Sequence, residues 1–407
     1  MRVPRIGRGI DREIAALCGL IFLADVVTGF LPPTFPLFAE SLRVSLAGIG
    51  LISTAGGLAQ LVLALPVGVL SDRVGRKRLF GAGMAGFTAM LLCFAAAGGP
   101  LLLVAGRILY GVASVAVFQI GAAHLGDISK PGERAVAFGA FTTAMGTGFT
   151  IGPLLGGQIA DHFGFRAAYL VAAAIAAVAT FAVGWALRDR VGRGRSGAAT
   201  IRLLDGVRHV MRQGDLIIVS FGSLLMSLTF AGAVSTFFPI FGGALGLTEA
   251  AIGWMFAIRA LVSTLGRMPQ GVIARLFGHQ PVMLACLVVD AVVMFFMAGT
   301  RVTPVLTVLL AGEGLAYGAY LVAGQTYVAE RTTIEVRGSA GGVYSTAGSI
   351  GGSVGPLLLG ILAGRSGVAS VFTATGWALA LGALVFLAAA LLLHRAGQRA
   401  GTRVARL

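Results

Sequence analysis

Charge is what this chain has least of. Only 12% of its 407 residues are Asp, Glu, Lys or Arg, about half the roughly 25% that coats an ordinary soluble domain. With 57% hydrophobic residues and a mean hydropathy of +0.90, that deficit excludes a water-soluble globular protein. Cysteine is nearly missing. Cys18, Cys93 and Cys286 each lie inside an apolar run, so the spacing makes neither a disulfide framework nor a thiolate metal site. There is no Gly-Lys-Ser/Thr phosphate loop, no metal-ligand cluster and no nucleophile–base pair. The chain is therefore expected not to be an enzyme, to need no cofactor or metal, and not to be driven by ATP. Glycine, by contrast, is plentiful. Its 61 copies supply the small surfaces on which membrane helices approach closely.

A helix needs about 20 predominantly apolar residues to cross the hydrocarbon core. Twelve runs satisfy this: 14–38, 47–70, 79–98, 101–124, 135–160, 167–187, 216–244, 250–274, 281–299, 303–327, 338–363 and 369–393. The first follows Arg2, Arg5, Arg8 and Arg12, but it is too long for the apolar core of a signal peptide and is read as a retained helix.

The net charge of +15 suggests nucleic acid until its distribution is considered. With the N-terminus placed in the cytoplasm, 24 of the 31 Lys and Arg residues fall on the cytoplasmic side. Arg43, Arg166, Arg301 and Arg365 lie outside, and Arg107, Arg259 and Arg267 lie within spans. This asymmetry is the positive-inside pattern. It predicts a multi-pass protein of a cell inner (cytoplasmic) membrane with both termini cytoplasmic. The basic tail His394–Arg406 then faces anionic lipid, and nucleic acid is not expected as a partner.

The chain repeats itself. A shift of 203 residues lays Gly148–Gly157 (GFTIGPLLGG) on Gly351–Gly360 (GGSVGPLLLG), Pro36 on Pro239, and Gly68–Lys77 on Gly271–Gln280. A shift of 206 lays Gly106, Arg107 and Gln119 on Gly312, Glu313 and Gln325. The expected fold is all-α, with twelve transmembrane helices in two pseudo-symmetric six-helix bundles. Residues 1–187 form one bundle, 188–213 a cytoplasmic linker rich in Gly and Arg, and 214–407 the other. Two similar halves in the same orientation make a parallel repeat.

Two motifs carry a family resemblance. Gly68, Asp72, Arg73, Gly75, Arg76 and Lys77 fill every defined position of the loop between helices 2 and 3 of the major facilitator superfamily, which this chain resembles along nearly its whole length. The resemblance implies an inner gate. Asp72 would face the positive N-terminal end of helix 11 near Gly338–Gly341, and Arg76 would pair with Asp127. Together they would hold the halves closed on the cytoplasmic side. In the second copy Arg275 stands where the first has Asp72, so the gate is expected to be asymmetric. The second motif is Gly148, Gly152, Pro153, Gly156 and Gly157 in helix 5, which resembles the Gly-Pro element of drug/proton antiporters. Gly148, Gly152 and Gly156 give one smooth helix face, and Pro153 removes a backbone hydrogen bond and favours a kink.

Ionisable residues within the bilayer are costly and mark function by default. Asp25, near the centre of helix 1, is the expected proton-accepting carboxylate, because desolvation makes its ionisation costly. Arg107 is expected to share a cavity with it and tune it by charge. Arg259 and Glu313 lie at matching depths, about 13 and 15 Å below the outer face at 1.5 Å per residue, and are expected to pair. Glu313 joins Asp25 and Arg107 as a coupling candidate, whereas Asp290 has no evident partner in the sequence. Gln60, Gln119, Phe238, Arg259, Tyr317 and Tyr320 complete the expected cavity, with Tyr317 and Tyr320 on one helix face.

The expected function is proton-coupled efflux of a small amphipathic compound by alternating access, by a monomer surrounded by lipid. The alternative is an importer or facilitator of a small, perhaps anionic solute such as an organic acid or sugar.

Overall fold

In the computed structural model the residues described are 12–130, 132–188, 208, 213–333 and 336–404, with backbone alone for Asp72 and 393–404. Most of the expected linker, residues 189–207 and 209–212, lies outside them. The described chain is helical throughout, without strands. Its helices are α1 (Arg12–Gly29), α2 (Leu31–Ser41), α3 (Leu46–Val74), α4 (Arg76–Ala96), α5 (Pro100–Ser114), α6 (Ile120–Ile128), α7 (Arg134–Phe163) and α8 (Phe165–Ala186). After the linker come α9 (Gly214–Leu228), α10 (Phe238–Ala244), α11 (Glu249–Arg267), α12 (Gln270–Phe277), α13 (His279–Gly299), α14 (Thr303–Arg331), α15 (Arg337–Ser366) and α16 (Ala369–Val404). Wider π-helical turns, Val115–Gln119 and Thr229–Phe237, join α5 to α6 and α9 to α10.

Eleven of the resulting spans are long and apolar enough to cross a membrane. The expected helix over 250–274 is the exception, and it is broken. Its first part, α11, carries both Arg259 and Arg267 in 19 residues. It stops before Pro269, which has no N–H with which to continue the ladder. The expected first helix is likewise divided, at Phe30 between α1 and α2.

The repeat is written into the turns. Backbone with positive φ occurs at Arg43, Gly75 and Gly164, and again 203 residues later at Gly246, Gly278 and Gly367. The same spacing relates two helix N-caps: Ser45 Oγ accepts from Gly48 N, and Thr248 Oγ1 from Ala251 N, each at 3.2 Å. It also relates Gly111, set against the Gly56 carbonyl, to Gly314, set against that of Arg259. A shift of 203 residues is thus the register in α5 and α14 too. Arg107 therefore corresponds to Leu310 and Tyr110 to Glu313, so the 206-residue alignment of Arg107 with Glu313 is not the structural one.

The N-terminal and C-terminal stretches meet through α7 against α11 and α15 against α3. Both contacts rest on glycine. A methyl group on Gly157 would stand 2.8 Å from the Cα of Gly253, and one on Gly360 would stand 3.1 Å from that of Gly50. The carbonyls of Pro153 and Pro356 face Gly253 and Gly50 respectively. At the opposite ends of these helices the crowding is absent. Among the described residues nothing lies within 4 Å of where a side chain would begin at Gly68, Gly139, Gly341 or Gly342. Among the described residues the close glycine contacts between the two stretches therefore gather toward one end, and none occurs at the end that bears residues 68–77.

Candidate functional site

Below the Gly50–Pro356 contact lies a cavity of about 230 Å³ between α3, α5, the second π-helical segment and α15. A second space of about 260 Å³ adjoins it, sharing Phe230, Ala231, Ser349 and Gly352 as common walls. The polar side of this chamber follows from helical periodicity. Ser345, Ser349 and Ser353 are spaced four residues apart and so occupy one face of α15, and each lines one or both spaces. Ser53 and Gln60 of α3 face them, and Tyr317 and Gln325 of α14 bound the second space.

Arg107 lines the first space. Its Nη2 donates to Ser53 Oγ at 3.3 Å, and its guanidinium lies over the Phe35 ring at 3.9 Å. Its Nε is buried without an acceptor. Arg259 is placed differently. It is 2% exposed and makes a two-pronged pair with the fully buried Glu313, Nε to Oε2 and Nη2 to Oε1, the latter at 2.8 Å. Its guanidinium also lies 4.2 Å over Phe230, which itself bounds the chamber. Arg259 thus backs the chamber wall and lines neither space. Asp290 is fully buried with no hydrogen-bond partner on either oxygen, and Glu313 and Arg259 are its electrostatic neighbours.

Asp25 is not brought into the chamber with Arg107. It is buried between α1 and α7. Oδ1 accepts from Thr28 Oγ1 at 3.5 Å, and Oδ2 has no partner. The glycine face of α7 makes this packing possible. A methyl group would stand 2.8 Å from Asp25 Cβ at Gly148, 2.7 Å from Gly29 Cα at Gly152 and 2.9 Å from Phe30 Cα at Gly156. Gly157 turns the other way, to α11. The helix-5 motif therefore serves two partners, three glycines for α1 and its Phe30 junction and one for the opposite half.

At the open end, Arg76 Nη1 lies 2.9 Å from Asp127 Oδ2, and Lys77 Nζ donates to the Gly184 carbonyl at 2.8 Å. Arg73 is exposed. The Asp72 side chain lies outside the described residues, and Gly338 and Gly341 of helix 11 have open space beside them. The repeat mirrors the ion pair: 203 residues after Arg76 and Asp127, His279 Nε2 lies 3.1 Å from Glu330 Oε2.

Gln60 and Tyr317 thus line the chamber. Phe238 and Tyr320 do not. Phe238 is fully buried edge-on against Phe256, and Tyr320 is fully buried with its hydroxyl donating to the Val219 carbonyl at 2.9 Å. Gln119 is exposed and lines neither space. Sequence reasoning missed Phe230 and the serines of α15. The four-residue serine period was the signal available for the latter. Among the described residues no group of three His, Cys, Asp or Glu side chains is placed to hold a metal.

The model of the Major Facilitator Superfamily matches residues 17–243 and 219–406. Multidrug resistance protein 2 of Bacillus subtilis (strain 168) is 26% identical over 349 residues, covering 84% of this chain and 86% of that protein. The Quinolone resistance protein NorA of Staphylococcus aureus is 26% identical over 152 residues, 37% of this chain and 39% of that one. The fold is that of the nucleoside transporter NupG, with a TM-score of 0.77 at 16% identity over 93% of this chain and 99% of that one. A bacterial homolog of the human lysosomal transporter Spinster, in an inward-facing and unoccupied conformation, superposes with a TM-score of 0.76 at 15% identity, over 94% and 98% of the two chains. The protein is a multi-pass membrane transporter and not an enzyme, and the chain belongs to the major facilitator superfamily.

Proposed function

We propose that this protein is a proton-driven exporter of small amphipathic compounds, built of twelve spans in two six-helix bundles with both termini in the cytoplasm. The observation that carries this reading is the chamber between the repeats, closed at the Gly50 and Gly253 contacts and open at the end with residues 68–77. The excess of Lys and Arg at that end assigns it to the cytoplasm. The described conformation is then inward-facing, a state from which an exporter would load its cargo and to which an importer would deliver it. The multidrug relatives support export.

Asp25 is the proton site in this reading. It is buried, has one oxygen without a partner, and sits on the helix pair α1–α7, whose α7 also meets the opposite half. Proton uptake there changes the charge beside α7, the helix that carries the Gly157 contact with the opposite half. The Arg259–Glu313 pair stiffens the second half, and the gate closes when α3 and α15 approach around Asp72.

Import of a small anionic solute is the second reading, favoured by the unpaired Arg107 in the chamber wall. Inverted and right-side-out vesicles separate the two. Export predicts accumulation of an amphipathic dye in inverted vesicles energised acid-inside, whereas accumulation confined to right-side-out vesicles energised acid-outside contradicts it.

A further inference from the structure

We propose that the cargo carries a negative charge, which Arg107 binds. The inference rests on transport through the chamber and holds for either direction of movement.

The sign of the chamber is the first argument. Among the described residues lining its two spaces there is no Asp or Glu, and Arg107 is the one charged residue. The remaining polar groups are neutral hydroxyls and amides, such as Ser53, Gln60, Ser349 and Gln325. A cationic cargo would find no counter-charge there and would meet the guanidinium.

The second argument is the contrast between two arginines of one chain. Buried charges are normally paired and hydrogen-bonded. Arg259 obeys this through its two bonds to Glu313. Arg107 does not. No carboxylate among the described residues pairs with it, its contacts are Ser53 and the Phe35 ring, and its Nε–H lacks an acceptor. Asp25 does not fill the role, because it lines neither space, is packed against Gly148 and accepts from Thr28. A planar guanidinium left open beside a solute-sized space suits two-point binding of a carboxylate, sulfonate or phosphate.

The third argument concerns the body of the cargo. Phe230 and Tyr317, with ring centroids 5.0 Å apart, form an aromatic wall of the adjoining space. An anion with a flat apolar body satisfies both surfaces at once, its charge on Arg107 and its ring against Phe230.

The test is thermal stabilisation of the purified full-length protein by matched probes. Benzoate, benzamide and benzylamine share one ring and carry a negative, a neutral and a positive substituent, as do 2-naphthoate, 2-naphthamide and 2-naphthylmethylamine. Bound ligand stabilises the fold by mass action. At least one acid is expected to bind tenfold or more tightly than its amide, with no response to the amines. Arg107→Gln is expected to abolish that preference. Arg107→Lys retains charge without the fork, so it is expected to keep acid above amine with weaker affinity. Ser53→Ala, which spares the arginine, guards against a folding defect and is expected to weaken acid binding a few-fold. An amine binding as well as its acid, no binding by either acid, or an acid preference surviving in Arg107→Gln overturns the proposal. Failure here alongside intact proton-driven dye transport removes only the negative charge of the cargo. Acid binding without any transport removes only the export reading.

Discussion

Gly148 is the surface on which Asp25 rests: a methyl group there would stand 2.8 Å from the Asp25 Cβ. The helix-5 glycine motif and the buried carboxylate of helix 1, which look unrelated in sequence, are two sides of one contact. Overpacking a close contact costs about 1–3 kcal/mol, so Gly148→Val is expected to displace α1 and with it Asp25. The expected outcome is transport reduced about tenfold or more with normal membrane insertion. Gly299→Val, at the end of α13 with nothing within 4 Å among the described residues and away from the contacts between the halves, is expected to be close to wild type. Dye transport by equal amounts of the two variants checks this, and equal activities would contradict it.

The closed end depends on the same geometry. Gly253 and Gly157 meet backbone to backbone, and a valine at 253 has no room while α7 and α11 are together. With about 1–3 kcal/mol of overpacking and tenfold per 1.4 kcal/mol, Gly253→Val is expected to shift the population roughly five- to one-hundred-fold away from the described state. Spin-label distances across the closed end, between α7 and α11, are expected to lengthen. Unchanged distances would show that this contact does not hold the conformation.

The buried pair in the second half gives a stability test. Removing one partner of a buried ion pair costs about 3–5 kcal/mol, whereas replacing both with apolar residues of similar volume is often neutral. Glu313→Gln is expected to lower the thermal unfolding midpoint markedly, and Arg259→Met with Glu313→Leu to recover most of the loss. Asp290, buried and without a hydrogen bond beside this pair, is the remaining acid available to Arg259. Glu313→Gln with Asp290→Asn is therefore expected to be less stable than Glu313→Gln alone. Equal midpoints would show that Asp290 does not answer the freed arginine.

The sequence made the helices and their repeat legible because both rest on local patterns. Apolar runs mark the spans, and the 203-residue shift reappears in the turns at Arg43 and Gly246 and at Gly75 and Gly278. The pairing of Arg259 with Glu313 was legible from depth alone. The break at Pro269 was visible as a residue but was hidden by the apolar run around it. Asp25 and Arg107 were harder to place, since depth along a helix leaves its rotation open and rotation decides which side chain faces the chamber. Tyr320 and Phe238 were misplaced for that reason, one turned onto Val219 and the other onto Phe256. The serine face of α15 carries no charge and so gave no energetic reason for notice.

The central claim is that export is driven by protons through Asp25. The direct measurement is accumulation of a panel of anionic, neutral and cationic amphipathic dyes in inverted vesicles energised acid-inside, for wild type and Asp25→Asn at matched protein levels. Wild type is predicted to accumulate at least one dye above protein-free vesicles and to release it when a protonophore collapses the gradient. Asp25→Asn is predicted to show no gradient-driven accumulation, while still letting the dye equilibrate faster than protein-free vesicles do. Accumulation that survives the protonophore, or that is the same in Asp25→Asn as in wild type, would contradict the account.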